Sequence, residues 1–286
     1  MKKRNLLILA CGALLASATL TACSSNQSKV GIGIDQVKTV GFMQLANENK
    51  ERIWFEVIDT SSDDEISKDD KINRVIVIKN GKADFYHTIE SKLSDFKDLS
   101  DEEIINKIKQ LDRDYVSSII KDCIGSINGT IKRTEESLSE AREQGYEIDE
   151  QFYVDDININ KQRISALENL KYEDIAHLYS NFELYATVET DSSGNSVISE
   201  EIGLPIDFSF SEDSVFSDES SALMNLNDFY KDLYGTNELG YPVQGDIYSQ
   251  NYKGYGTEHT FFITSSLDDS VNLGLDTLDT KNVTEE

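Results

Sequence analysis

SDEEIINKIKQLDRDYVSSIIKDCIGSINGTI, residues 100–131, decides the fold class. Ser100 followed three residues later by Glu103 is a capping box. The hydroxyl takes the amide of the third helical residue, and the carboxylate reaches back to the amide of the cap. Apolar residues then recur at Ile104, Ile108, Leu111, Tyr115, Ile119, Cys123, Ile127 and Ile131, in steps of three and four. That period marks one face of a helix. Lys107, Lys109, Asp112 and Asp114 fall between and read as its polar side. The stretch TEESLSEAREQ, residues 134–144, prolongs the helix to Gly145. A second pattern near 157–180 carries Ile164, Leu167, Leu170, Ile175 and Leu178. Residues 100–180 are therefore expected to form a helical hairpin with a connection of about ten residues.

Strand patterns stand on either side. RIWFEVI, 52–58, is strongly β-prone. INRVIVIK, 72–79, meets Asn80-Gly81 and continues as KADFYHTI, 82–89. Asn-Gly between two such runs predicts a hairpin, because a type I′ turn needs positive φ at both central residues. Three antiparallel strands are expected over 51–99. Beyond the helices, FELYATVET, 182–190, DSSGN and SVISEEIGLPIDFSF, 196–210, form another hairpin. Residues 211–258 read as irregular. HTFFIT, 259–264, and SVNLGLDTL, 270–278, close a β-rich region over 181–286. Strands gathered at both ends of one helical block predict an α+β fold, with antiparallel β-sheet segments flanking a central long helical hairpin. Ile104, Ile108, Leu111, Ile119 and Ile127 are expected to face a sheet containing Trp54, Val75 and Val77.

The chain carries 53 acidic against 27 basic residues, a net charge of −26. That excess excludes a nucleic-acid role, which wants clustered Lys and Arg. It also disfavours lying flat on an anionic bilayer and favours a cationic protein or envelope partner. At 38% hydrophobic and 9% aromatic, the sequence has the means to build a core. The acidic loop 59–70, DTSSDDEISKDD, is the candidate Ca²⁺ site by charge. It lacks the spacing and central glycine of an EF-hand, so a solvated loop is the plainer reading.

The N-terminal segment has three parts. Lys2, Lys3 and Arg4 are positive, Leu6 to Leu20 is apolar, and Leu20-Thr21-Ala22-Cys23 precedes a polar run. Fifteen residues suit a cleavable signal better than a membrane span of about 20. The ending LTAC resembles the lipobox of bacterial lipoproteins. The resemblance implies removal of residues 1–22, a diacylglyceryl thioether on Cys23 and a tether over 23–50. Two acyl chains, at about 0.8 kcal/mol per buried CH₂, make a stable anchor. RIWFEVI, RVIVIKNGKADFYHT, LSDEEIINKIK, FELYATVET with its SGN turn, and LGLDTLDTKNV are similar to segments of Gram-positive surface lipoproteins. That likeness implies a lipid-anchored protein on the outer face of the cytoplasmic membrane and transfers no catalytic residue. With Cys11 in the signal and Cys23 lipidated, Cys123 is left alone, so no internal disulfide is expected.

Local signatures of catalysis are missing. His87, His177 and His259 are scattered, with no HExxH spacing and no cysteine pair for a metal. There is no GxSxG and no phosphate loop. Gly31 and Gly33 make only half of a dinucleotide fingerprint. Six tyrosines between Tyr230 and Tyr255 suit packing on a sheet or stacking on a sugar or peptide. The expectation is a non-enzymatic binding or interaction protein without cofactor or metal. The alternatives are a solute-binding importer component and a motif-poor envelope hydrolase.

Overall fold

The fold comes from a computed structural model, which describes residues 38–58, 65–88, 90–205, 216, 234–257 and 260–286. Val37–Glu286 is one compact unit of α+β architecture. Three expected strands are present: β2 (Arg52–Ile58), β3 (Lys71–Lys79) and β4 (Lys82–His87), paired antiparallel. Asn80 at φ 56° and Gly81 at φ 76° supply the two left-handed residues of the turn.

The sheet continues past these strands. β11 (Thr260–Thr264) pairs with β2, then β10 (Gln250–Gly256) and β9 (Tyr241–Ile247) follow, while β5 (Phe182–Glu183) extends the β4 edge. Residues 51–99 and 181–286, separate regions in the sequence reading, thus share one seven-stranded sheet. The cause is the burial of β2 and β3 on both faces. Trp54, Ile76 and Ile78 enter one apolar cluster, and Phe55, Val75 and Val77 enter another. A strand buried on both faces needs partners along both edges and cover above and below. Part of the stretch expected to be irregular is strand: β8 (Tyr234–Glu238), β9 and β10. Its Tyr, Gly, Asn and Gln residues lack aliphatic alternation, and pairing to neighbours holds them extended.

A second sheet covers the Trp54 face. It contains β6 (Tyr185–Thr190), β7 (Val197–Pro205), β8 and β13 (Val283–Glu285), in the order β13-β6-β7-β8. Ala186, Val188, Ile202 and Leu204 pack into the Trp54 cluster. Between the sheets, Trp54 stacks on Phe262 at 4.7 Å and meets Phe42 edge-on at 5.3 Å.

Phe42 belongs to a segment that the tether reading of 23–50 had included. Residues Lys38–Val40 form β1, parallel to β12 (Val271–Leu273), and Phe42–Ala46 form the short helix α1. Phe42 and Met43 are fully buried. A tether over 38–46 is therefore overturned: Phe42, Met43 and Leu45 fall on one helical turn and cover Trp54. Cys23, Gly31 and Gly33 lie outside the described residues.

Helix α2 spans Asp101–Gln144, about 66 Å at 1.5 Å per residue. Ser100 caps it as expected, accepting from the Glu103 amide at 3.4 Å while its own amide donates to Glu103 Oε2 at 2.8 Å. Gly145, at φ 76°, ends it, and Tyr146 N donates to Ala141 O. Helix α3 (Glu147–Asn169) starts ten residues before the expected 157, so only Gly145 and Tyr146 join the pair. The Gly-ended turn reverses the chain at once, and polar residues around 147–156 hid the start of α3. After Asn169 the pattern breaks into α4 (Tyr172–Ala176) and a 3₁₀ turn, His177–Tyr179.

The buried face of α2 also differs in part. Ile104, Ile108, Cys123, Ile127 and Ile131 are buried, whereas Leu111, Tyr115 and Ile119 are half-buried. Strict steps of four from Ile108 lead instead to Asp112 and Val116, both buried. Ile104 and Ile108 pack with Phe55, while Val116 and the residues beyond join the Trp54 cluster. The change of cluster falls at Asp112, where α2 runs alongside β4.

Candidate functional site

Asp112 has no exposure to solvent, yet it is a carboxylate on the apolar stripe of a helix. Its partners account for this. Oδ1 accepts from the His87 backbone amide at 2.9 Å and lies 3.2 Å from His87 Nδ1. Oδ2 accepts from the hydroxyls of Tyr172 at 2.7 Å and Tyr179 at 2.9 Å. A carboxylate offers about four acceptor positions, and all four are taken by protein groups. The His87 ring stacks on Tyr115 at 4.7 Å and meets Tyr179 edge-on at 5.5 Å. One side chain thereby ties α2 to the end of β4, to α4 and to the following 3₁₀ turn.

Electrostatics keep this hub inert. Burial, the hydrogen bond to Asp112 and its charge push the Tyr172 phenol far up. Burial and then the Asp112 charge do the same to Tyr179. Burial, with the charges of Asp84 and Asp112, pushes Tyr86 up to about 12. These phenols stay protonated at any physiological pH. Tyr172 and Tyr179 act as donors to Asp112, not as bases or nucleophiles. Asp112 itself has no acceptor position left for a substrate or a metal.

On the outer side of the hub lies an open cleft of about 350 Å³. Tyr172 and Tyr179 form part of its wall, and charged groups stand around them. Lys109 and Arg113 project from successive turns of α2, Asp84 from β4, Glu173 from α4 and His177 from the 3₁₀ turn. Arg113 lies over the Tyr172 ring at 4.8 Å and 3.7 Å from Glu173. Asp84 accepts the Asn181 amide at 2.6 Å. Lys109 has no ion pair or hydrogen bond among the described residues. Ser180 turns its hydroxyl to the His177 carbonyl. The cleft presents two cations and two carboxylates across aromatic walls, an arrangement that fits a small ligand bearing both charges. The dimensions lie within the range usual for small-molecule sites.

The residues singled out by sequence fare differently. His87 is in the hub and His177 at the cleft, while His259 lies outside the described residues. Cys123 is buried in the core. Residues 59–64 of the acidic loop lie outside the described residues. In the remainder, Asp70 is buried and accepts the Ser67 amide at 2.7 Å, and Asp69 pairs with Lys68. Among the described residues no three His, Cys, Asp or Glu side chains converge as a metal site. The tyrosines divide: Tyr252 and Tyr255 are buried, Tyr241 and Tyr248 are exposed, and Tyr230 lies outside the described residues. Asp112 and Tyr172 were missed. A readable signal existed, since Ile104, Ile108, Asp112 and Val116 fall every four residues and place an acid in line with the apolar stripe. No known protein family, curated protein or solved structure matches the chain.

Proposed function

We propose that this chain is a lipid-anchored, non-enzymatic binding protein on the outer face of the cytoplasmic membrane of a Gram-positive bacterium, with the α2–β4 cleft as its binding site. The observation that carries the binding reading is the cleft itself. Its aromatic wall is held by a fully satisfied buried carboxylate, so the site is preorganised, and preorganisation lowers the cost of binding. Lys109 stands ready for a carboxylate, and the exposed Arg113–Glu173 pair can exchange its partners for a ligand's carboxylate and amine with Asp84 beside it, so the ligand class is a small zwitterion such as a free amino acid or short peptide. The anchor reading rests on the LTAC ending at Cys23. A second reading, capture of a cationic envelope protein, is favoured by the net charge of −26.

The test is a thermal-shift screen of the purified full-length chain with amino acids and dipeptides. A ligand at a hundredfold excess over its Kd stabilises by about 2.7 kcal/mol. The shift should appear with the native chain and shrink in Arg113→Gln and Lys109→Gln, both on the exposed side of α2. No shift with any zwitterion ends the cleft reading and leaves the cationic-partner reading to crosslinked pull-downs. The anchor is tested separately, by comparing detergent-phase partitioning of the native chain and Cys23→Ala in a Gram-positive host. Equal partitioning refutes lipidation.

A further inference from the structure

A second pair of buried acids lies far from the cleft. Glu200 on β7 and Asp276, just beyond β12, are both without solvent exposure. Asp276 Oδ2 accepts the Met43 amide, and Oδ1 accepts the Gln44 amide at 3.0 Å, both at the start of α1. The Asp276 amide in turn donates to Glu200 Oε2 at 2.7 Å. The two carboxyl groups lie close enough for the charge of each to act on the other. Glu200 Oε1 has no hydrogen-bond partner among the described residues, and no Lys, Arg or His among them forms an ion pair with either carboxyl. Two bare carboxylates in contact in a dry interior repel strongly, and an unpartnered buried oxygen adds to the cost. One proton removes both problems, because it turns one carboxyl into a donor to the other.

We infer that Glu200 and Asp276 hold one proton between them, and that this shared proton latches the 274–276 segment and β7 to α1, so that the latch loosens when the proton is lost. Asp276 is the acceptor, since two backbone amides already favour its charged form. Glu200 is the proton holder. The other titratable group facing the pair is Tyr255 on β10, whose hydroxyl donates to the Gly274 carbonyl at 2.8 Å and which burial keeps protonated. A cation in place of the proton fits worse, because backbone amides aim at Asp276 from α1 and at Glu200 from Asp276 itself.

Burial, then the charge of Asp276, raises Glu200 to about 8. The raised value sets the sign. The contribution is fully present below the ordinary carboxylate range and is lost as pH rises through about 8. Past that point the closed-to-open ratio falls by up to about tenfold per pH unit.

The decisive measurement is carboxyl-carbon NMR of the purified full-length chain, titrated from about pH 4 to about pH 10. A Glu200 midpoint near 8 is expected, and a midpoint at about 4–5 overturns the proposal. Hydrogen exchange gives the second readout. Protection of the Met43 and Gln44 amides, corrected for intrinsic base catalysis, should fall above that midpoint in the native chain. In Glu200→Gln, whose amide still donates to Asp276 without titrating, it should stay level. The same decline in both chains overturns the latch. Should Glu200→Gln fail to fold, the native chain alone decides, and constant protection through alkaline pH is the overturning result. A Glu200 resonance that moves on adding Ca²⁺ at neutral pH also overturns the proposal, in favour of a cation site.

Discussion

Replacing Asp112 with alanine tests the hub directly. The substitution removes the acceptor for the His87 amide, the His87 ring and two tyrosine hydroxyls. His87 and Tyr179 are buried, so they lose the Asp112 carboxylate where water does not replace it, while half-buried Tyr172 recovers water. An unsatisfied buried donor costs about 1–3 kcal/mol, and breaking a buried charged cluster from one side typically costs about 3–5 kcal/mol. The expected loss is about 4 kcal/mol, a large share of a marginal stability of about 5–15 kcal/mol. In urea the midpoint should fall while the slope stays constant. Tyr179→Phe, which deletes one donor and strands little, should lose only about 1–2 kcal/mol. Asp122→Ala, at an exposed position of the same helix, should stay within about 0.5 kcal/mol. If Asp112→Ala costs less than about 1 kcal/mol, the four contacts do not hold α2 to β4 and the preorganised wall of the cleft is lost as an argument.

Three further outcomes are expected. Ile127→Ala, at a fully buried site, should cost about 2–5 kcal/mol by urea unfolding, and half-buried Ile119→Ala clearly less; the reverse order would put the wrong face of α2 inward. Gly41→Ala should destabilise by about 1–3 kcal/mol in the same assay, because a Cβ there runs into both the carboxyl and the Cα of Asp276. Ser100→Ala should cost about 1 kcal/mol through loss of the α2 cap, with helicity by circular dichroism falling slightly at the midpoint of a thermal scan.

Much of the scaffold is legible where one local pattern dominates. The capping box at Ser100, the stop at Gly145 and the Asn80-Gly81 turn each depend on a few adjacent residues, and each lies where the sequence places it. What escapes reading depends on residues far apart. The joining of β2 to β11 has no local signal, and β9 and β10 are strands because they have partners rather than because of their composition. The α1 turn looks like linker until Trp54 and Phe262 are placed beside Phe42. The hub shows the same limit. Asp112 is marked by its position on the stripe, but its meaning comes from Tyr172 and Tyr179, brought in by the break after Asn169 that the period-four pattern passed over.

The bond from Met43 to Asp276 spans 233 residues of chain, and among the described residues β1 finds its strand partner at β12. Synthesis runs from the first residue to the last, so β1 waits for β12 and the start of α1 waits for Asp276 through almost the whole chain, although Phe42 can already meet Trp54. Until then β2 has no neighbour on its β11 side, although Trp54 and Phe55 make it one of the most apolar strands in the molecule. An unfinished chain therefore carries an open, sticky edge on β2. Long-range closure of this kind is slow, because the loop must be ordered before the contacts reward it. Late closure of this kind is compatible with the proposed anchoring outside the cytoplasmic membrane, which requires an unfolded chain to cross it. The cost falls on truncated copies: loss of the segment from about Thr260 onward removes one of the two strand partners of β2 and leaves an aggregating fragment rather than a smaller domain.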